Sequence, residues 1–128
     1  MSELVLEVQD LEASERFYAG ALGLPVVERW SRREAIWLMA GGRTRIGLWR
    51  PQVGVAGGRG GEHVHFAFHL EEDDFDEAVA RLRESGLDPQ LESRGGRLRR
   101  KRSRSAYVDD PDGNCVELWT QDVSRYLP

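Results

Sequence analysis

A chain of 128 residues is long enough for one domain, or for two tightly joined half-domains, with a real core. Hydrophobic residues make up 40% and charged residues 31%, an ordinary globular balance, and the net charge of −4 gives no overall attraction to nucleic acid or to an acidic membrane. A lone cysteine, Cys115, excludes an intramolecular disulfide, no apolar run approaches the roughly 18 residues that span a bilayer, and MSELVLEVQD is no secretory signal, so a cytoplasmic location is expected.

Residues 3–9 alternate, with Leu4, Leu6 and Val8 on one face and Glu3, Val5, Glu7 and Gln9 on the other. That pattern predicts a strand with one apolar side. Asp10 is placed to cap a helix whose first turns carry Glu12 and Glu15. Leu11, Phe17 and Leu22 recur at near-helical spacing, and Gly23 and Pro25 end the helix. Three short strands are expected over 25–31, 34–40 and 43–50, with Gly41-Gly42 as a turn. The run GVAGGRGG at 54–61 reads as a linker, because no Gly-Lys-Ser/Thr follows to make a phosphate loop.

The pattern then restarts. Residues 63–70 place Val64, Phe66, Phe68 and Leu70 on one face and His63, His65, Ala67 and His69 on the other. An acidic start over 71–74 leads into a helix with Phe75, Ala78, Val79 and Leu82, closed by Gly86. Strands are expected near 88–94, 103–109 and 114–120. The chain therefore divides into a first module at about 1–53, the linker 54–61, and a second module at about 62–128, within one domain. Asp110-Pro111-Asp112-Gly113 is a strong turn, since proline fixes φ and glycine accepts positive φ. In the strand that it launches, Cys115, Glu117 and Trp119 share a face, and Val116 and Leu118 share the other. The basic stretch from Arg94 to Arg104 reads as a solvated hairpin or as a lid for an anionic substrate; no aromatic residue interleaves with its charges, which speaks against nucleic acid.

Three segments resemble one family. They are Asp10-Leu-Glu-Ala-Ser-Glu-Arg-Phe-Tyr-Ala-Gly-Ala-Leu-Gly-Leu24, His65-Phe-Ala-Phe with its acidic helix, and Tyr107-Val-Asp-Asp-Pro-Asp-Gly-Asn-Cys-Val-Glu-Leu118. Together they resemble the vicinal oxygen chelate superfamily, which includes glyoxalase I, extradiol dioxygenases, fosfomycin-resistance thiol transferases and bleomycin-resistance proteins. The resemblance implies an α+β fold in which two tandem βαβββ modules form a curved, open mixed sheet around a cavity. It also implies a homodimer as the working form.

By the same resemblance, metal ligands come from four equivalent places, here Glu3, Gly47, His65 and Glu117. Glycine offers no side-chain donor, so Glu3, His65 and Glu117 remain as a three-ligand set. A carboxylate-rich set suits Mn²⁺ or Mg²⁺ and tolerates Zn²⁺ or Ni²⁺. The bland alternative is a buried hydrogen-bonded His65–Glu117 pair without metal. Glu7 is expected as a general base beside His65, or as a partner for Arg45. Arg45, Trp49, Trp37, Tyr107 and Trp119, with His63 and His69, suggest an aromatic, partly cationic pocket for a planar or anionic small molecule. Glycine at 47 is expected to leave room for substrate.

Two functions follow from the resemblance. One is a small-molecule enzyme, divalent-metal-dependent, of lyase, isomerase or thiol-transfer type, with Glu7 and Glu117 handling protons. The other is a metal-free protein that binds or sequesters a flat compound, as the bleomycin-resistance branch does.

Overall fold

The computed structural model describes residues 1–50, 64–95 and 103–121. The linker 54–61, His63 and most of the basic stretch 94–104 lie outside the described residues. Each module builds a four-stranded mixed sheet. In the first, β1 (Glu3–Glu7), β2 (Val26–Trp30), β3 (Ala35–Ala40) and β4 (Thr44–Trp49) lie in the order β1-β4-β3-β2. In the second, β5 (His65–His69), β6 (Gln90–Arg94), β7 (Ser103–Asp109) and β8 (Cys115–Trp119) lie in the order β5-β8-β7-β6. The first and last strands of each module pair in parallel, and the other neighbours pair antiparallel. This is the expected pair of βαβββ modules of the glyoxalase-like fold, and the expected strands are present, most of them shorter by a residue or two.

The parallel registers of the two sheets match step for step. Glu3, Val5 and Glu7 face Arg45, Gly47 and Trp49; His65, Ala67 and His69 face Cys115, Glu117 and Trp119. Across the antiparallel pairs, Trp37 faces Gly47 and Tyr107 faces Glu117. The repeat is thus kept in backbone pairing even where residue types have diverged.

Two compact units are distinguished, Met1–Val64 with Asp110–Asn114, and His65–Asp109 with Cys115–Pro128. In the first unit, Asp10 caps the helix as expected, its Oδ1 accepting from the Ala13 N–H at 3.0 Å. The helix is not uniform, however. Helix α1 covers Leu11–Glu15 and then widens into a π-helical stretch, Arg16–Ala21. The Leu22 N–H reaches back five residues to the Phe17 carbonyl at 2.9 Å. Phe17, Tyr18 and Ala21 of this wider turn are all buried. The opposite sides of the strands supply the rest of that core, Leu6, Val8, Ile36, Leu38, Ile46 and Leu48. Each such side chain contributes about 1.5–3 kcal/mol on leaving water.

In the second unit, α2 (Glu72–Glu84) buries Phe75, Val79 and Leu82, spaced as one helical face, and Val116 and Leu118 of β8 are buried too. Glu72, Asp73 and Asp74 occupy its first turn and Arg81 and Arg83 its last, the arrangement that the helix dipole favours.

The turn Asp110–Asn114 forms a buried polar knot within the first unit. The Asp110 carboxylate accepts from the Tyr18 hydroxyl at 2.6 Å, from the Asn114 N–H at 2.8 Å, from the Asn114 side-chain amide at 2.9 Å and from the Asp112 N–H at 3.0 Å. Asp112 in turn accepts from the Gln9 N–H at 2.9 Å, and the Asn114 side-chain oxygen accepts from the Val64 N–H at 3.0 Å. Gly113 adopts φ 87°, which a side chain would resist. The sequence identified the turn but not its burial or its tyrosine partner.

Candidate functional site

The polar faces of the two sheets carry the candidate residues, and they differ sharply in chemistry. On the first sheet, strand alternation and register bring Glu3, Val5 and Glu7 together with Arg45, Gly47, Trp49, Trp37 and, from β2, Glu28 and Trp30. Three indoles form one cluster. Trp30 and Trp37 have ring centroids 5.3 Å apart, Trp30 and Trp49 5.7 Å, and Trp37 and Trp49 5.8 Å at 90°. Trp30 escaped the sequence reading, although its alternation with Glu28 along β2 was available as a signal.

Gly47 sits beneath this cluster. A Cβ there would come within 2.8 Å of both the Trp37 ring and Trp49 Nε1. The expectation that glycine leaves room for substrate is therefore overturned, because the two indoles already occupy that space. Trp37 itself is only 1% exposed, so it forms the floor of the face.

Arg45 covers that floor, with its guanidinium 4.0 Å from the Trp37 ring centre. Its Nε donates to Glu3 Oε2 at 2.7 Å, and its Nη2 forms an ion pair with the same oxygen at 2.7 Å. The partner of Arg45 is thus Glu3, directly opposite it in register, whereas Glu7 stands opposite Trp49.

On the second sheet, His65 Nε2 and Glu117 Oε2 lie 3.1 Å apart. The pair expected from sequence is present, but it is not buried as a pair, since the His65 side chain is 55% exposed against 13% for Glu117. Tyr107 completes the group, its ring centroid 6.0 Å from that of His65. Burial pushes the Tyr107 phenol above its ordinary range. A hydrogen bond with Ser105 opposes this, and hydrogen bonding to Glu117 with that carboxylate's charge adds to it. Cys115 shares the face, and its thiol is also pushed up, by burial first and then by the charges of Asp109 and Glu117. His69 and Trp119 lie opposite each other in the same register, His69 exposed and Trp119 half-buried.

A resident divalent metal of the kind the resemblance implies needs three or more donors that converge. His65 and Glu117 stand together, but the step in the first sheet that matches Glu117 is Gly47, closed over by indoles. Glu3 is committed to Arg45. Among the described residues, no three His, Cys, Asp or Glu side chains form a group able to hold a metal ion. The donor set among the described residues does not fit a resident metal. Among the described residues, no helix is long and apolar enough to cross a membrane.

Comparison with known proteins agrees with this architecture. The family described as "Glyoxalase/Bleomycin resistance protein/Dioxygenase superfamily" matches residues 1–118. The glutathione transferase FosA of Serratia marcescens is 28% identical over 129 residues, covering 99% of this chain and 84% of that protein. Among solved structures, the lactoylglutathione lyase of Agrobacterium tumefaciens is 26% identical with a TM-score of 0.71, covering 94% of this chain and 92% of its own. The fosfomycin resistance protein FosX of Mesorhizobium loti is 25% identical with a TM-score of 0.69, covering 100% of this chain and 97% of its own.

Proposed function

The chain belongs to the glyoxalase/bleomycin resistance protein/dioxygenase superfamily, and we propose that within it this protein binds a flat, anionic small molecule without a resident metal. The observation that carries the reading is the packing of Trp37 and Trp49 over Gly47. It closes a family ligand position with indole rings, leaving half-buried Trp49 as the accessible aromatic edge, which serves recognition of a flat ring better than chelation. Arg45 over Trp37 adds a cation to that surface. On the same sheet, Trp49 supplies a further aromatic edge in this proposal. The second sheet has a polar and aromatic face of its own, with His65, His69, Tyr107, Glu117 and Trp119 as hydrogen-bonding and ring groups. The proposal includes a cytoplasmic location and a homodimer.

The test is calorimetric titration of metal-stripped protein with a panel of flat aromatic anions, alongside melting curves with Mn²⁺, Mg²⁺, Zn²⁺ and Ni²⁺. Binding in the presence of chelator, with unchanged melting temperatures on metal addition, supports the reading. A melting temperature raised by one of these ions, and no longer raised after His65→Ala, would overturn it.

A second reading has its own support. The His65–Glu117–Tyr107 group is a ready acid–base constellation, and FosA and the lactoylglutathione lyase are enzymes by name. On this reading the protein is a lyase, isomerase or thiol transferase, with Glu117 or Glu7 accepting a proton. Turnover lost in both His65→Ala and Glu117→Gln would favour it over simple binding.

A further inference from the structure

Arg45 is not idle on the first sheet: a carboxylate of the chain itself already holds it. Its guanidinium lies 4.0 Å from the Trp37 ring centre, and Trp37 is only 1% exposed. The guanidinium and the neighbouring indoles thus leave no surface of that ring for a ligand to lie on. Trp49 is half-buried, its ring centre 5.8 Å from that of Trp37, and it keeps an aromatic edge in reach of solvent.

Glu3 holds the guanidinium in place through a single oxygen, Oε2, which lies 2.7 Å from both Nε and Nη2. Both side chains are about two-fifths exposed, so water screens the pair and its separation costs little. The backbone here is fastened independently. The Arg45 N–H donates to the Ser2 carbonyl at 3.0 Å, and the Thr44 hydroxyl donates to the Met1 carbonyl at 2.7 Å. Glu3 can therefore release Arg45 by turning its side chain into water, with β1 still paired to β4.

The charges on this face narrow what can bind. Glu7 and Glu28 share it with Glu3, so the residues named there set three carboxylates against one guanidinium. An anion added beside Glu3 would meet net negative charge. An anion that replaces Glu3 would have Arg45 to itself. Trp49 stands on the same strand and face as Arg45, with Gly47 between them, within reach of the ring of such an anion.

We propose that Glu3 occupies the ligand's charge seat: a flat aryl carboxylate binds this sheet by displacing the Glu3 carboxylate from Arg45 and laying its ring against Trp49. Glu3 is then a built-in competitor, and a ligand succeeds only where its ring contact outweighs the exchange of one carboxylate for another. The inference rests on the reading of this chain as a binder of flat anions and specifies the group that the ligand must replace.

The probe is 2-naphthoate, titrated by tryptophan fluorescence and calorimetry into wild type, Glu3→Gln, Arg45→Ala and the double variant Glu3→Gln/Arg45→Ala, with neutral 2-naphthamide as control. Circular dichroism checks that each variant is folded. Glu3→Gln should bind 2-naphthoate about two- to fivefold more tightly than wild type, the range that an exposed ion pair supplies. The gain should vanish in the Arg45→Ala background, and 2-naphthamide should show none. Equal or weaker binding by Glu3→Gln would overturn the proposal and leave the flat-anion reading standing. The same gain in the Arg45→Ala background, or for 2-naphthamide, would also overturn it, since the gain would then come from removing a charge and not from freeing Arg45. If 2-naphthoate binds neither wild type nor Glu3→Gln, both are overturned for this ligand class.

Discussion

Gly47 lies directly opposite Trp37 across the antiparallel β3–β4 ladder, and a Cβ at position 47 would come within 2.8 Å of the indole. The same step of the second module pairs Tyr107 with Glu117. A small residue beside a large one in the first sheet thus corresponds to a hydrogen-bonding pair in the second. Restoring a carboxylate by Gly47→Glu should therefore destabilise the protein, by about 1–3 kcal/mol, because the indoles must shift. Adding Trp37→Tyr should recover part of that loss by making space. Urea unfolding of the single and double variants checks this, and a Gly47→Glu protein as stable as the parent would show that the indoles yield freely.

The Tyr18–Asp110 bond makes a second case. Asp110 is buried and accepts four hydrogen bonds, one of them from the Tyr18 hydroxyl. Tyr18→Phe leaves the carboxylate short of one donor, at a cost of about 1–3 kcal/mol. Burial first, and then the hydrogen bond to Asp110, raise the Tyr18 phenol far above its ordinary value. A raised folded-state value means that this stabilisation is whole below the unfolded tyrosine's pKa of about 10 and declines as pH rises beyond it. Wild type should lose stability above about pH 10 more steeply than Tyr18→Phe. Parallel slopes for the two proteins in chemical unfolding between pH 8 and 11 would contradict the linkage.

Much of the fold was legible because several strands, β1 and β8 above all, are apolar on one face and not on the other. Leu4, Leu6 and Val8 announce β1, and Val116 and Leu118 announce β8, through local alternation alone. Asp10 and the Asp110–Gly113 turn were readable for the same reason, since caps and turns are set by adjacent residues. The site was harder. Whether Arg45 meets Glu3 or Glu7 depends on the register of β1 against β4, a relation across some forty residues. The closure over Gly47 depends jointly on residues 37, 47 and 49, so the glycine alone suggested open space. The π-helical stretch was hidden because its apolar residues recur at spacings close to helical.

Glu117 adds to the shifts of two neighbours on the second sheet. The Cys115 thiol is raised by burial and then by Asp109 and Glu117, and the Tyr107 phenol is raised in part by Glu117. Glu117→Gln removes one charge from both. The thiol should then ionise more readily and alkylate about two- to threefold faster at pH 8. In spectrophotometric titration one tyrosine should ionise at lower pH. An unchanged alkylation rate would assign the whole thiol shift to burial and Asp109.

The Glu3–Arg45 pair separates charge from cover. Both side chains are about two-fifths exposed, so the ion pair itself contributes little, below about 1 kcal/mol. Glu3→Gln should therefore change stability only slightly, and less still in high salt. Arg45→Ala removes more, because the guanidinium also lies 4.0 Å from the centre of the Trp37 ring. Losing it opens an otherwise buried indole to water, at a cost beyond that of the pair. Arg45→Ala should thus be the less stable variant, with tryptophan emission shifted to longer wavelength, while Glu3→Gln keeps the parent spectrum. Equal stabilities and identical spectra in the two variants would mean that Arg45 acts only through its charge on Glu3.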